Sequence, residues 1–453
     1  MNENKMASKS IRKLIWVMGL PMVFSMVLQA LYNVVDTIFV INMGSDGIKA
    51  NLALTYVFPV QIFMIALGVG TGIGINALLS RAVGEDDKKK IGLTLGNGIF
   101  LGSVIYLLFL FFGLFFSNWF LSIQTTDEET IRIGSDYLRI VTMLSFGSVG
   151  FTIYERFLQA TGKTVHSTIA QLSGALTNIV LDYIFIYPLN LGVTGAAYAT
   201  VIGQFVSLLL ALIFHYTLNK GVKHTLKDLV PNGKIIGSIY KVGWAATLMQ
   251  GLLSINMFVM VKVFSISPDV ELINGTYGIY YKIQQIALFS CFGLSNTIIS
   301  LLAFNIGLGD KNRIKECMKY GIIDTVLVSI IIILIFEAFA GPIANLFGLT
   351  ATGDNKNQII DLCKTSIRIS SIGYVFMAIS IAIQGILQAY RKSYTPLIIS
   401  LLRLIALLVP FALIFVYQDN AKTLVWWAFP IAEFLTSIIS IVILVKHKKR
   451  SIE

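Results

Sequence analysis

Recurring apolar stretches of about 20 residues, each the length of a bilayer-crossing helix, constrain this chain more than any other feature. They lie near 14–42, 52–79, 93–117, 136–158, 167–188, 193–216, 238–264, 277–305, 318–346, 366–389, 394–416 and 424–445. In lipid only helices and closed barrels satisfy every backbone N–H and C=O, and runs this long fit helices. Composition agrees, with 56% hydrophobic and 13% charged residues, where a soluble domain carries nearer a quarter charged. The expected fold class is therefore an all-α integral membrane protein of twelve transmembrane helices. Lone prolines inside the runs (Pro21, Pro59, Pro342, Pro410, Pro430) predict kinks rather than ends. The first run is too long, and too polar at its far end, for a cleaved signal.

The formal net charge of +11 raises the question of a nucleic-acid partner. The basic residues answer it, because they sit in short loops between apolar runs, as lipid topology requires. Segments on the N-terminal side hold 25 Lys+Arg and the opposite loops hold five: Lys49, Arg132, Lys356, Lys364 and Lys422. That bias puts both termini in the cytoplasm. The outer loops carry acids instead, as in "TTDEET" at 125–130.

Short stretches repeat between the halves. "VGEDDKKKI" (83–91) and "IGLGDKNRI" (306–314) coincide at a shift of 223 residues, under which Asn33 meets Asn256 and Gly70 meets Gly293. "LQATGKT" (158–164) matches "LQAYRKS" (387–393) at a shift of 229. The chain thus reads as an N-lobe (1–216), a basic cytoplasmic linker (217–237) and a C-lobe (238–453). Six spans per half give the two bundles the same orientation, related by a pseudo-two-fold along the membrane normal. Such a pair suits alternating access.

Polar residues inside the runs point to a site. In the first span Gln29, Asn33 and Asp36 fall on one face with Tyr32 beside them; in the fifth, Gln171, Asn178 and Asp182 do the same. Thr200, Gln204 and Ser207 repeat the pattern in the sixth. At 1.5 Å per residue Asp182 lies about 22 Å from the inner end and Thr200 about 12 Å from the outer. Asp36 falls in the outer half as well. Two carboxylates, an amide oxygen and a hydroxyl suit a small hard cation; they suit a proton equally well, because two carboxylates sharing a site do not both ionise readily. Each residue alone has a plainer reading as helix-packing glue. Asp36 and Asp182 match Val259 and Phe411 in the second half, so the charge breaks the symmetry there.

Other features carry less chemistry. Lys262, Lys282, Arg139, Arg368 and Glu337 lie near span ends and snorkel. Asp324, one turn past Lys319, pairs on the cytoplasmic side, and Arg403 and Glu433 are deep enough to pair with each other as a structural contact. Met257, Phe258 and Met260 suit either an adaptable cavity lining or core. "GVGTGIG" at 68–74 mimics a dinucleotide loop but lies in mid-span, where glycines permit close helix packing. Scattered histidines, sparse cysteines without a CxxC, and the lack of a P-loop, nucleophile elbow or HExxH point away from an enzyme, a metal cofactor or direct ATP drive.

"GLPMVFSMVLQALYNVVDTIFV", "SRAVGEDDKKK", "FLQATGK" and "LTNIVLDYIFIYPLNLGVTGAAYAT" resemble the multidrug and toxic compound extrusion (MATE) family, in its prokaryotic branch with acids in helices 1 and 5. The resemblance covers nearly the whole chain and implies a two-lobe antiporter of a prokaryotic plasma membrane. Such a protein exports organic cations or other amphipathic compounds in exchange for Na+ or H+, with no organic cofactor and no nucleic-acid partner. It implies a cation or proton site at Asp36, Asn178, Asp182 and Thr200, and a helix-1 bend at Pro21. Gln29, Tyr32, Asn33, Gln171, Gln204, Asn256, Met257 and Met260 are the candidates for the substrate cavity. The other expected partners are membrane lipid and the small-molecule substrate, with the chain acting as a monomer. A lipid-linked oligosaccharide flippase of related architecture is the alternative; Arg403 and Lys262 are its poor candidates for a pyrophosphate.

Overall fold

The structure, a computed structural model, describes residues 5–41, 43, 47–348 and 356–452. Helices follow one another in chain order: α1 (Lys5–Ser8), α2 (Ile11–Ile41), α3 (Gly47–Gly84), α4 (Lys88–Phe115), α5 (Ser117–Ser122), α6 (Glu128–Met143), α7 (Phe146–Ala160), α8 (Thr164–Ile186) and α9 (Gly192–Leu218). After a short 3₁₀ turn at Leu226–Leu229 come α10 (Gly233–Phe264), α11 (Val270–Leu308), α12 (Lys311–Phe347), α13 (Lys356–Ser371), α14 (Tyr374–Ala389), α15 (Tyr394–Leu401), α16 (Leu408–Val416), α17 (Ala421–Leu424) and α18 (Ala428–Ile452). Among the described residues 10 helices are long and apolar enough to span a bilayer alone, and up to 12 spans result if each of two bent pairs is one. The protein is a multi-pass, all-helical membrane protein.

The bent pairs are the expected fourth and tenth spans. α6 and α7 meet at 43°, and α13 and α14 at 54°. In both, a 16-residue amphipathic helix precedes an apolar one, and the apolar runs read from the sequence begin part-way along the first member, at 136 and 366. The acids of "TTDEET" belong to the start of α6. Asp127 is its N-cap, accepting the Thr130 N–H at 3.0 Å, and Glu128 and Glu129 fill its first turn, where the helix dipole favours negative charge.

The sequence repeat returns as repeated backbone geometry. Asp87 and Asp310, 223 residues apart, both cap helices, accepting from the N–H of Lys90 and of Arg313 at 3.0 Å each. The residues just before them, Asp86 (φ 53) and Gly309 (φ 78), both adopt left-handed backbone. Gly162 (φ 75) and Arg391 (φ 59) do so 229 residues apart. There Lys163 N–H donates to Leu158 O at 2.8 Å and Lys392 N–H to Leu387 O at 2.9 Å, the six-to-one bond that closes a helix C-terminus.

The chain forms two compact units. Unit one holds Met1–Ala30, Leu248–Leu302 and Asp310–Glu453; unit two holds Leu31–Thr247 and Ala303–Gly309. Each therefore incorporates the opening segment of the other half's first long helix. In unit two the glycines of "GVGTGIG" make that packing possible. A Cβ on Gly70 would stand 2.7 Å from the Gly243 carbonyl, and one on Gly74 2.2 Å from the Ile239 carbonyl. In unit one Gly293, the repeat partner of Gly70, does the same against α2, with Met22 and Val23 backbone within 3.0 Å of its missing Cβ. The linker is not free chain. Its Thr225 and Asp228 form a capping box, and Asn97 of α4 donates to Asp228 O at 3.2 Å and accepts the Asn232 N–H at 2.7 Å.

Candidate functional site

α8 and α9 of unit two form a hairpin around the expected cation site. The buried face of α8 includes Ala170, Gly174, Asn178, Asp182 and Ile186, one residue per turn. The facing stripe of α9 includes Ala199, Gly203, Ser207, Ala211 and His215, with Thr200 beside it. Small residues on both stripes bring the backbones close: a Cβ on Gly174 would lie 2.4 Å from the Gly203 carbonyl oxygen, and one on Gly203 2.6 Å from that of Gly174. The turn between them uses left-handed backbone at Asn190 (φ 48) and Gly192 (φ 56). Asn178 and Thr200 sit eight residues from the turn on their own helices, so the hairpin sets them level.

The polar groups meet there. Asn178 Nδ2 donates to Thr200 Oγ1 at 3.4 Å, and Asn178, Asp182 and Thr200 are 3%, 1% and 7% exposed. Asn178 Oδ1 is buried and finds no donor among the described residues. An acceptor oxygen kept from water without a donor is unfavourable, and a cation supplies what it lacks. Oxygens from an amide, a hydroxyl and a carboxylate match the ligand preference of a hard cation such as Na+, or of a proton held by Asp182.

The other predicted residues divide by place. Asp36, Tyr32 and Asn33 lie on the last turns of α2, and their side chains are outside the described residues. Gln171 and Gln204 are half-buried in unit two, the oxygen of Gln204 buried without a donor among the described residues. Gln29, Asn256, Met257 and Met260 belong to unit one. There Asn256 Nδ2 donates to the Leu404 carbonyl at 2.6 Å, Met257 is half-buried and Met260 is fully buried. Pro21 stands inside α2, which continues through it.

The sequence reading missed one polar cluster in unit two. Arg156, counted among the basic residues of a cytoplasmic loop, is 1% exposed inside α7. Its Nη1 donates to Gln159 Oε1 at 2.8 Å, and Gln159 Nε2 donates to Glu155 Oε1 at 2.8 Å. Gly72 makes room for it, since a Cβ there would fall 2.8 Å from Arg156 Cγ. A glycine facing a basic residue near a span end was the available signal.

Comparison with known proteins follows the two-half repeat. The MatE family model matches the chain twice, over residues 21–184 and 246–414, one match in each repeat half. The chain belongs to the MATE family. Its relatives include multidrug export protein MepA of Staphylococcus haemolyticus, 26% identical over 84% of this chain and 82% of that one. MepA of Staphylococcus aureus is 24% identical over 94% and 91%. Among solved structures, an outward-facing multidrug resistance MATE family transporter superposes with a TM-score of 0.91 at 23% identity, covering 98% of this chain and 97% of that one. A MATE protein in the straight conformation gives 0.86 at 25% identity over the same shares. These similarities place the chain in the MATE fold from end to end.

Proposed function

We propose that this MATE chain is a secondary-active multidrug efflux transporter, exporting organic cations or other amphipathic compounds by antiport with Na+ or H+. The observation that supports the coupling is the buried Asn178–Thr200 pair one helical turn from Asp182, where Asn178 Oδ1 is buried without a donor among the described residues. Its relatives' description as multidrug export proteins supports the cargo. In this reading the ion is itself cargo. It binds Asp182, Asn178 and Thr200 together with Asp36 of α2, and its affinity differs between the outward- and inward-open states, since only such a difference drives the change. Pro21 removes a backbone donor from α2 and crowds the preceding turn, which makes it the natural bending point. The protein works as a monomer in a prokaryotic plasma membrane with both termini in the cytoplasm.

The flippase alternative needs free cations for a pyrophosphate. Arg403 is instead 3.1 Å from Glu433, and Lys262 lies over the Phe258 ring. Dye efflux from reconstituted vesicles, with Na+ and pH gradients imposed separately, tests the proposal. Export should follow one gradient and vanish in Asp36→Asn and in Asp182→Asn. Gradient-driven export surviving in both variants would overturn it.

A further inference from the structure

Unit one has a cavity of its own, lined in part by Asn256 of α10, Tyr281, Gln284 and Gln285 of α11, Arg403 and Glu433. Arg403 Nε stands 3.1 Å from Glu433 Oε1, with the side chains 4% and 10% exposed. The pair is only half satisfied. Arg403 Nε makes no aligned hydrogen bond, and Glu433 Oε2 is buried without a donor among the described residues. A partly satisfied buried ion pair is a poor stabiliser, so its presence asks for another reason.

Its setting supplies one. Arg403 lies in a π-helical turn, Leu402–Ala406, between α15 and α16, and such turns recur at functional sites. The Asn256 side chain donates to the Leu404 carbonyl inside that turn. Under the repeat shift of 229, Arg403 and Glu433 correspond to Gly174 and Gln204, which carry no charge. Unit two keeps acids where the second half has Val259 and Phe411; unit one keeps this pair where the first half is neutral. The remaining titratable groups facing Glu433 are Tyr280, Tyr281 and Cys291 of α11 and Tyr374 of α14, all ordinarily neutral at pH 7. Arg403 is thus the one charge set against it among the described residues.

We propose that Glu433 is a proton-binding carboxylate, and that a proton taken from water onto Oε2 ends its charge contact with Arg403 and repacks the π-helical turn. One O–H bond of a hydronium ion breaks as one forms on Oε2, leaving neutral water; nothing is oxidised or reduced, and Arg403 keeps its charge. The neutral amides of Gln284, Gln285 and Asn256 offer the oxygens that the new O–H and the released guanidinium need. The site is separate from the Asp182 site and responds whichever ion drives export.

The test uses the full-length protein in lipid nanodiscs, followed by infrared difference spectroscopy and by hydrogen exchange corrected for intrinsic pH dependence. Acidification should raise a protonated-carboxyl C=O band that Glu433→Gln lacks and that Glu433→Asp moves. Exchange at 402–408 should rise on acidification in the parent, be raised at every pH in Glu433→Gln, and regain pH dependence in Glu433→Asp. Identical carboxyl bands in the parent and Glu433→Gln would overturn the proposal, as would exchange at 402–408 indifferent to pH. Retention of both responses in Asp36→Asn and Asp182→Asn keeps this result independent of the antiport reading.

Discussion

Gly174 and Gly203 meet backbone to backbone, each with its missing Cβ within 2.6 Å of the other's carbonyl oxygen. That approach levels Asn178 with Thr200. A side chain at Gly174 would also run into Ser207 Oγ, so the helices would have to part. Overpacking of this kind costs about 1–3 kcal/mol. Gly174→Val should lower the thermal unfolding midpoint of the purified protein and weaken binding of the coupling ion more than binding of dye. Unchanged stability and ion affinity would show that the contact does not hold the site.

Thr200→Val removes the acceptor of the Asn178 amide while keeping the side chain's shape. Asn178 Nδ2 is then left buried without its partner, at about 1–3 kcal/mol. Because 1.4 kcal/mol is tenfold in an equilibrium constant, coupling-ion affinity should fall about tenfold or more, while Thr200→Ser should largely restore it. Ion-dependent quenching of tryptophan fluorescence gives the measurement.

Much of this arrangement was legible in the residues. Helical face and depth pick out Asn178, Asp182 and Thr200, because polar residues in lipid stand out against an apolar background. The repeat was legible because its loops must cap helices, and Asp87, Asp310, Gly162 and Arg391 serve that purpose in three dimensions. Depth alone places Arg403 and Glu433 together, and they stand 3.1 Å apart. Arg156 was not legible, because a basic residue near a span end reads as loop charge unless the facing Gly72 is known to leave space. The opening parts of α6 and α13, before residues 136 and 366, escape for a related reason: an amphipathic segment carries no apolar run to announce it. The docking of the linker on Asn97 depends on partners more than a hundred residues away.

Glu85 closes the connection between α3 and α4 by binding Arg81 at 2.8 Å and Lys90 at 2.7 Å. Partial burial raises its carboxyl, but hydrogen bonds and charge from Lys90 and Arg81 prevail and hold it below its ordinary value of 4.5. A lowered folded-state value means stabilisation that is complete above the ordinary range and lost as pH falls through the lowered one. Exposure limits the effect to about 1 kcal/mol. Glu85→Gln should therefore unfold at a lower temperature than the parent at neutral pH. The two curves should converge in acid and in high salt.

Arg12 of α2 sets its Nε 3.5 Å from Oδ1 of Asp324 on α12, so the partner of that acid is Arg12, while Lys319 lies over the Tyr320 ring. Asp324 is fully buried and the Arg12 side chain about half exposed. About three turns earlier on α12 Arg313 strengthens the same attachment, donating to the carbonyls of Lys9 at 3.0 Å and Met6 at 2.6 Å. The start of α2 is thereby tied to α12 within unit one; in the proposed mechanism an ion at Asp36 acts on the part of α2 beyond this attachment. Arg12→Ala removes the charge that compensates a buried carboxylate and should cost about 1–3 kcal/mol, less than for a fully buried pair because water reaches the guanidinium. Asp324→Asn on the Arg12→Ala background should recover most of that loss, since the uncompensated charge is gone. A double-mutant cycle on thermal unfolding, run beside dye efflux, separates the two roles. If the attachment steadies α2, the double variant regains stability but exports with weakened dependence on the ion gradient. Additive losses in stability would show that the two residues do not interact.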